Sequence, residues 1–173
     1  MIEIPTVETE RLILRAPREA DFEHEAAFFA TERSRFVGGP MQRDLVWRAL
    51  AGIIGHWVFR GYGFWAVEEK GTGLYCGHVG CWCPEGWPEP EIGWTVMEAA
   101  EGRGIAHEAA LASRRYAYEV LGWTTAISLI DPKNTRSLAL GKRLGAKFEY
   151  TYTHPSYGPM DVHRHPAPAE LAQ

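Results

Sequence analysis

Long hydrophobic runs and cysteines are scarce in this sequence. The most apolar run, ALAGIIGHWVF from Ala49, is too short to span a lipid bilayer. The opening MIEIPTVETERLIL lacks the basic segment and apolar core of a signal peptide. The three cysteines are an odd number and cannot all pair within one chain, which favours a reducing compartment. We therefore expect a cytoplasmic protein with no membrane partner.

An excess of positive charge is also absent. Lysine and arginine number 18 against 22 aspartates and glutamates, which leaves a net charge of −4 and argues against a nucleic-acid partner. Cys81 and Cys83 lie near Cys76 and His78 in the sequence but lack a closing pair of ligands, so no metal site is predicted. No Gly-x-Ser-x-Gly motif marks a hydrolase. The HRHP segment is expected to be the solvated end of a strand.

The patterns that are present predict an α/β domain. A chain of 173 residues with 46% hydrophobic content suits one domain, 1–173, with a core over about 8–165. Alternating apolar residues predict strands over Thr9–Arg15, Tyr62–Glu69, Leu74–Cys83, Glu91–Met97, Thr124–Asp131, Ala146–His154 and Met160–His163. Helical periodicity predicts helices over Arg18–Ala30, Gln42–Phe59, Arg103–Leu121 and Asn134–Leu144. This order predicts one mixed sheet with helices on both faces.

Two glycines stand where a helix is about to begin, in AAEGRGIAHEAALASRRYAYEVLG from Ala99 to Gly122. A helix N-terminus presents free backbone N–H groups and partial positive charge. Gly102 and Gly104 would let an anion approach those groups closely. The alternative is that they only make a tight turn between strand and helix. The spacing matches neither G-x-x-x-x-G-K-[ST] nor G-x-G-x-x-G.

Four segments along the chain are similar to successive parts of one family. TERLILRAPREADF (9–22) is similar to its opening strand and first helix, and GFWAVEE with CGHVGCW (63–82) to its central hairpin. EIGWTVMEAAEGRGIAHEA (91–109) is similar to its acyl-CoA pyrophosphate loop and the strand before it. NTRSLALGKRLGAKFE (134–149) is similar to the helix and strand that close its site. Over almost its full length, the chain therefore resembles the GNAT acyltransferases, in the branch of the ribosomal-protein N-terminal acetyltransferases (RimJ/RimL-like).

The resemblance implies a fold and an acyl donor. The fold would be the GNAT-type acyl-CoA N-acyltransferase fold, with a mixed, mostly antiparallel sheet of six to seven strands. A splay would separate the fourth and fifth strands, with helices on both faces. The acyl donor would be acetyl-CoA, with no metal. The resemblance assigns its pyrophosphate to Gly102, Arg103, Gly104, Ile105 and Ala106, and its pantetheine arm to Trp94, Thr95, Val96, Met97 and Asn134.

Some of these positions allow another interpretation. Glu101 stands where the family usually has a basic or amide residue. Arg103 could be a solvated arginine in the first turn of a helix. Asn134 is also a good helix N-cap residue, and both of its roles can hold together.

Transfer to an amine requires a base, oxyanion stabilisation and help for the leaving thiolate. Glu91 is the first choice for the base, and His78 is the second. Backbone N–H groups around Thr95–Val96 would stabilise the oxyanion. Gly141 occupies the position of the tyrosine that many family members use for the thiolate, and Ser137 fits the serine that this branch uses instead. The alternatives are that Glu91 is an exposed glutamate at a strand end and His78 a satisfied buried histidine. For Ser137, the alternative is a hydroxyl in the first turn of a helix that bonds to the backbone.

The resemblance therefore predicts an acetyl-CoA-dependent N-acetyltransferase. Its acceptor would be the primary amine of a protein N-terminus or a small molecule, acetylated by direct attack in a ternary complex. Phe28, Phe29, Trp87 and the loop after Phe36 are the expected pocket walls. The alternatives are a non-enzymatic acyl-CoA-binding or regulatory domain, and an acetyltransferase acting on an antibiotic amine. The protein is expected to be a monomer or homodimer.

Overall fold

The structure is a computed structural model that describes residues 3–172. Its strands are β1 (Val7–Glu8), β2 (Leu12–Arg15), β3 (Phe64–Glu69), β4 (Tyr75–Trp82), β5 (Glu91–Val96), β6 (Ile127–Ile130), β7 (Lys147–His154) and β8 (Gly158–Arg164). Its helices are α1 (Phe22–Phe29), α2 (Arg43–Arg60), α3 (Ile105–Glu119), α4 (Thr135–Arg143) and α5 (Pro168–Leu171). Short 3₁₀ turns cover Glu19–Asp21, Glu32–Ser34 and Glu98–Ala100.

The strands form one mixed sheet in the order β1-β2-β3-β4-β5-β6-β8-β7. Only β5 and β6 are parallel among the paired neighbours of the described residues. The sheet has eight strands, one more than the expected maximum of seven. The first residues of the predicted strand Thr9–Arg15 form a turn, and the residues before it, Val7–Glu8, form the additional strand β1. Thr9 N–H donates to the carbonyl oxygen of Leu12 at 3.0 Å, and Val7 then pairs with Leu14. The expected mixed, mostly antiparallel fold class is confirmed.

Strands β5 and β6 meet only where they begin. Their ladder contains the single pair Glu91–Ile127, so the expected splay lies here. Side chains bridge the two strands beyond that pair. Leu129 N–H donates to Glu91 Oε2 at 2.9 Å, and Ser128 Oγ donates to the carbonyl oxygen of Ile92 at 2.6 Å. These bonds satisfy polar groups that a continuous ladder would have paired.

Helices cover both faces of the sheet, as expected. On one face α3 packs on β4, where Cys81 and Val79 are buried and Ala109 and Ala110 are almost fully enclosed. Their small side chains let the helix approach the strands closely. On the other face α1 and α2 pack together above β3 and β4. The residues of β5 therefore point alternately to α3 and to the α1–α2 side.

One expectation about the end of the chain is wrong. His165 in the HRHP segment is only 2% exposed, because β8 lies between β6 and β7 rather than at the edge of the sheet. Among residues 3–172, no helix has the length and apolar character needed to cross a membrane.

Candidate functional site

Two cavities meet where β5 and β6 separate. The first, here called the basic groove, has a volume of about 570 Å³ and runs past Gly102, Gly104, Arg136 and Arg143. The second, here called the aromatic cavity, has a volume of about 340 Å³. It lies between the sheet, α1 and α2. The two cavities share the lining residues Phe36, Val37, Trp94, Thr95, Asn134 and Ser137.

The basic groove ends at the N-terminus of α3. Gly102 and Gly104 have φ angles of 71° and 77°, a left-handed conformation that glycine adopts without strain. Gly104 is the N-cap residue, and no side chain caps the helix. The first N–H groups of a 15-residue helix are therefore directed at the groove. This arrangement is suited to bind an anion.

Arginines from two separate elements stand beside this loop. Arg33, after α1, and Arg136, on α4, both form ion pairs with Glu101, the former at 2.5 Å. Arg143 lines the same groove. Glu101 therefore occupies a position where a basic residue is usual and holds two guanidinium groups next to the loop. The positive charge expected at this position is supplied from outside the motif.

Two of the residues expected in the cofactor site do not line the groove. The Arg103 side chain forms an ion pair with Glu69. Met97 is buried in a small cluster with Ala66 and Tyr75, against which Phe28 packs. The other expected cofactor residues line the groove: Trp94, Thr95, Val96, Gly102, Gly104, Ile105, Ala106 and Asn134.

The start of α4 lies where the two cavities join. Asn134 is the N-cap residue, and its Oδ1 accepts a hydrogen bond from Ser137 N–H at 3.2 Å. Trp94 Nε1 donates to Ser137 Oγ at 3.1 Å, which leaves the serine hydroxyl proton available for another acceptor. Gly141 is buried, and a Cβ atom there would lie 3.3 Å from Ile130 Cδ1. A side chain at that position would press on the Ile130 side chain of β6.

Glu91 is a buried carboxyl group at the edge of the aromatic cavity. The residue is 6% exposed, and burial raises its pKa to about 7. The Leu129 N–H and the nearby Trp87 indole offset this shift only in part. Trp87 Nε1 lies outside strict hydrogen-bond geometry and has no other partner among the described residues. A carboxyl group with this pKa exchanges a proton readily near neutral pH.

A second buried acidic group in this cavity was not predicted. Glu25 on α1 is 2% exposed; its Oε1 accepts a hydrogen bond from the Tyr75 hydroxyl and lies 2.9 Å from His78 Nδ1. Burial alone would raise the pKa of Glu25, but His78 and Tyr75 outweigh burial and lower it. The carboxylate orients the imidazole of His78, which also lines the aromatic cavity.

The floor of the aromatic cavity has no side chains at its centre. Gly80 on β4 is paired with Gly93 on β5, and the Phe64 ring lies over Gly93. A Cβ atom on Gly93 would lie 3.0 Å from that ring and 3.1 Å from Glu91 Oε1. A Cβ atom on Gly80 would lie 2.3 Å from the carbonyl oxygen of Gly63. Only glycine fits at Gly80, whereas a side chain at Gly93 would have to displace the Phe64 ring.

A serine and a histidine also meet at the edge of this cavity. His165 Nε2 lies 2.9 Å from Ser128 Oγ, whose own proton is donated to Ile92. Burial, together with the nearby charge of Arg114, lowers the pKa of His165 to about 3. So weak a base does not activate a serine nucleophile. Among the described residues, no group of three or more histidine, cysteine or acidic side chains is arranged to hold a metal ion.

Comparisons with known proteins agree on one family. A family model described as an acetyltransferase (GNAT) domain matches residues 11–147. The chain is 32% identical over 97 residues to the uncharacterized protein YkkB of Bacillus subtilis (strain 168), a match over 53% of this chain and 56% of the relative. It therefore spans about half the length of that curated relative.

Solved structures are similar over almost the whole chain. An acetyltransferase from Agrobacterium tumefaciens str. C58 is 35% identical, with 96% of each chain covered and a TM-score of 0.87. RimL, a ribosomal L7/L12 alpha-N-protein acetyltransferase, is 15% identical, with 93% of each chain covered and a TM-score of 0.76. At that identity the likeness to RimL shows a common fold alone.

Proposed function

The chain belongs to the GNAT acetyltransferase family, and from this premise we propose that it transfers an acetyl group from acetyl-CoA to a primary amine. The observation that carries this proposal is the junction of the basic groove and the aromatic cavity at the splay between β5 and β6. One substrate can enter from each side, and the two would meet beside Trp94 and Ser137. Within the family, the order of the motifs favours the RimJ/RimL-like branch as the nearest group, without carrying over the protein acceptors of that branch.

The basic groove fits the phosphates of acetyl-CoA. The free N–H groups at the start of α3 would bind the pyrophosphate, and Arg33, Arg136 and Arg143 supply positive charge around it. The pantetheine arm would lie along Trp94, Thr95 and Val96, where β5 has lost its neighbour β6. Its amide groups would pair with strand groups that the sheet leaves free.

The reaction we propose is direct attack without a covalent enzyme intermediate. The amine nitrogen bonds to the thioester carbon, and the carbon–sulfur bond breaks. Glu91 accepts the proton released from the amine, directly or through one water molecule. A backbone N–H near Thr95–Val96 stabilises the oxyanion. The Ser137 hydroxyl donates a hydrogen bond to the departing thiolate, which solvent then protonates.

Thermal unfolding with added ligands tests the donor assignment. Acetyl-CoA and desulfo-CoA should each stabilise the protein, by about 2.7 kcal/mol at one hundred times the dissociation constant. NAD is the control and should cause no shift. No shift with either CoA ligand would refute the proposal. A shift without release of free CoA in the presence of any amine would favour the alternative of an acyl-CoA-binding regulatory domain.

A further inference from the structure

Seven aromatic side chains, together with aliphatic ones, line the cavity that would receive the acceptor. Phe29 and Phe36 lie on the helix side, Phe64 and Trp82 on the sheet, and Trp87 and Tyr157 at the outer end. No lysine or arginine lines this cavity among residues 3–172. Resting on the function proposed above, we propose that the acceptor is a small amine with an apolar, ring-bearing body, and neither a polypeptide N-terminus nor an aminoglycoside.

The aromatic cavity is roofed on the side away from the sheet. The loop after α1 meets the turn between β7 and β8, where a Cβ atom on Gly38 would lie 3.4 Å from Tyr157 Cε1. Behind this contact the rings of Tyr157, His154 and Trp87 are in contact. The Tyr157 and His154 rings are tilted at a centroid distance of 4.7 Å, and the His154 and Trp87 rings meet edge to face at 4.9 Å. A polypeptide that continues away from its reacting N-terminus would have to displace this roof.

The cavity also opens into the basic groove. The two spaces join at Trp94, Asn134 and Ser137, and acetyl-CoA would fill the groove during transfer. An acceptor therefore has to fit largely within about 340 Å³. This volume lies near the small end of the usual range for ligand pockets, about 300–1,000 Å³.

The charges of the cavity favour one ammonium group over several. Three acidic side chains line it: Glu25, Glu91 and Asp131. The charge of Glu25 is already engaged by His78 and Tyr75, and burial raises the pKa of Glu91 to about 7. Asp131 and a partly protonated Glu91 are then the acids left to balance the several ammonium groups of an aminoglycoside. A single ammonium group over aromatic rings gains cation–π attraction as well.

Competing acceptors test this inference with saturating acetyl-CoA. The probes are 2-phenylethylamine, an octapeptide with an N-terminal serine, and kanamycin. Release of free CoA gives kcat/KM, and mass spectrometry identifies the acetylated product. We expect 2-phenylethylamine to exceed both other probes by at least about 100-fold, the upper part of what a shaped apolar pocket achieves.

The outcomes separate this inference from the function on which it rests. Preferred acetylation of the peptide or kanamycin would overturn the inference and leave the N-acetyltransferase standing. So would no turnover of 2-phenylethylamine in a protein that acetyl-CoA still stabilises. If acetyl-CoA gives no thermal shift at all, it is the proposed function that fails.

A variant of the roof provides a second test. Tyr157 is 48% exposed, so Tyr157→Ala opens the roof without removing a core residue. The preference for 2-phenylethylamine over the peptide should fall about tenfold or more. Phe148→Ala removes an exposed ring from the same hairpin and should leave the ratio unchanged. An unchanged ratio in Tyr157→Ala would show that the roof does not select the acceptor.

Discussion

The basic groove and the aromatic cavity share Trp94 and Ser137, yet their charged groups are held in opposite ways. In the groove Arg136 and Arg143 are exposed, and the Arg136 side chain is 67% exposed. In the cavity Glu25 and Glu91 are 2% and 6% exposed. Salt screens the first kind of charge and hardly affects the second. Binding energy in the groove should therefore depend on ionic strength, whereas chemistry in the cavity should depend on pH.

The largest effect should come from the buried acid of the cavity. Glu91→Gln removes the proposed proton acceptor and should lower kcat by about 10²- to 10³-fold. In the wild type, kcat/KM should rise with pH and level off above about 7, where Glu91 is ionised. The variant should lose this rise and keep its affinity for acetyl-CoA. The measurements are steady-state kinetics across pH and calorimetric titration with acetyl-CoA.

The control is Glu85→Gln, which alters an exposed glutamate shortly before Glu91 in the chain. It should leave kcat and the pH profile as they are. If Glu91→Gln also leaves kcat and the pH profile unchanged, the chemistry in the cavity does not depend on the ionisation of Glu91. His78 or solvent would then be the proton acceptor.

Blocking the helix N-terminus should strongly weaken the binding of acetyl-CoA in the groove. Gly104→Asp places a carboxylate where the pyrophosphate would bind and should weaken acetyl-CoA binding by about 100-fold or more. An aspartate is strained at the left-handed φ of 77° that Gly104 adopts, so the control has to carry the same strain. Gly61→Asp is a matched control, because Gly61 has nearly the same φ of 75° in open space at the end of α2. Equal affinities in the two variants would contradict the anion site.

The buried acid should also cost stability, by an amount that depends on pH. The pKa of Glu91 rises from 4.5 to about 7 on folding, so the folded state holds the proton more tightly than the unfolded state. The stabilisation from this proton is complete below pH 4.5 and is lost as pH rises to 7. At pH 8, Glu91→Gln should therefore be more stable than the wild type by about 1–3 kcal/mol.

Chemical denaturation at pH 4 and pH 8 measures this difference. The advantage of the variant should vanish at the lower pH. An advantage of equal size at both values would mean that the substitution acts through packing and not through the proton.

The smallest effect should come from a solvated arginine of the groove. Arg143→Gln should weaken acetyl-CoA binding about 3- to 10-fold at low salt, because it removes one cation that faces the phosphates. The loss should shrink as sodium chloride rises from 0.05 to 0.5 M. Lys142→Gln is the control, since Lys142 is an exposed neighbour that does not line the groove. A loss of affinity that does not change with salt would contradict the expectation that binding in the groove, unlike chemistry in the cavity, depends on ionic strength.

The sequence was most informative where the groups of the site are consecutive. The strand, the glycine turn and the helix from Glu91 to Glu119 form one unbroken segment, so their order predicted the groove. The direction of a side chain within that segment was not predictable, since Arg103 points to Glu69 on a neighbouring strand. A turn of two left-handed glycines fixes such directions through φ angles that the spacing does not reveal.

Groups that come together from distant segments were harder to find. Glu25 lies on an amphipathic helix, where a glutamate is usually exposed, and its buried carboxylate contacts His78, 53 residues away. The role of Glu101 depends likewise on Arg33 and Arg136 from two other elements. One sequence shows no sign of either contact. Such contacts between residues distant in the sequence become visible only in the folded chain.

The paired glycines Gly80 and Gly93 limit how this protein can diverge. Any larger residue at Gly80 meets backbone atoms of the next strand, 2.3 Å from the carbonyl oxygen of Gly63, and backbone cannot move aside cheaply. Substitution of Gly80 by any other residue is therefore strongly disfavoured. The loop around Gly38 and the turn at Tyr157 are exposed and carry no ladder bonds of the central sheet. Substitutions that reshape the acceptor cavity should therefore be tolerated more easily there than at Gly80.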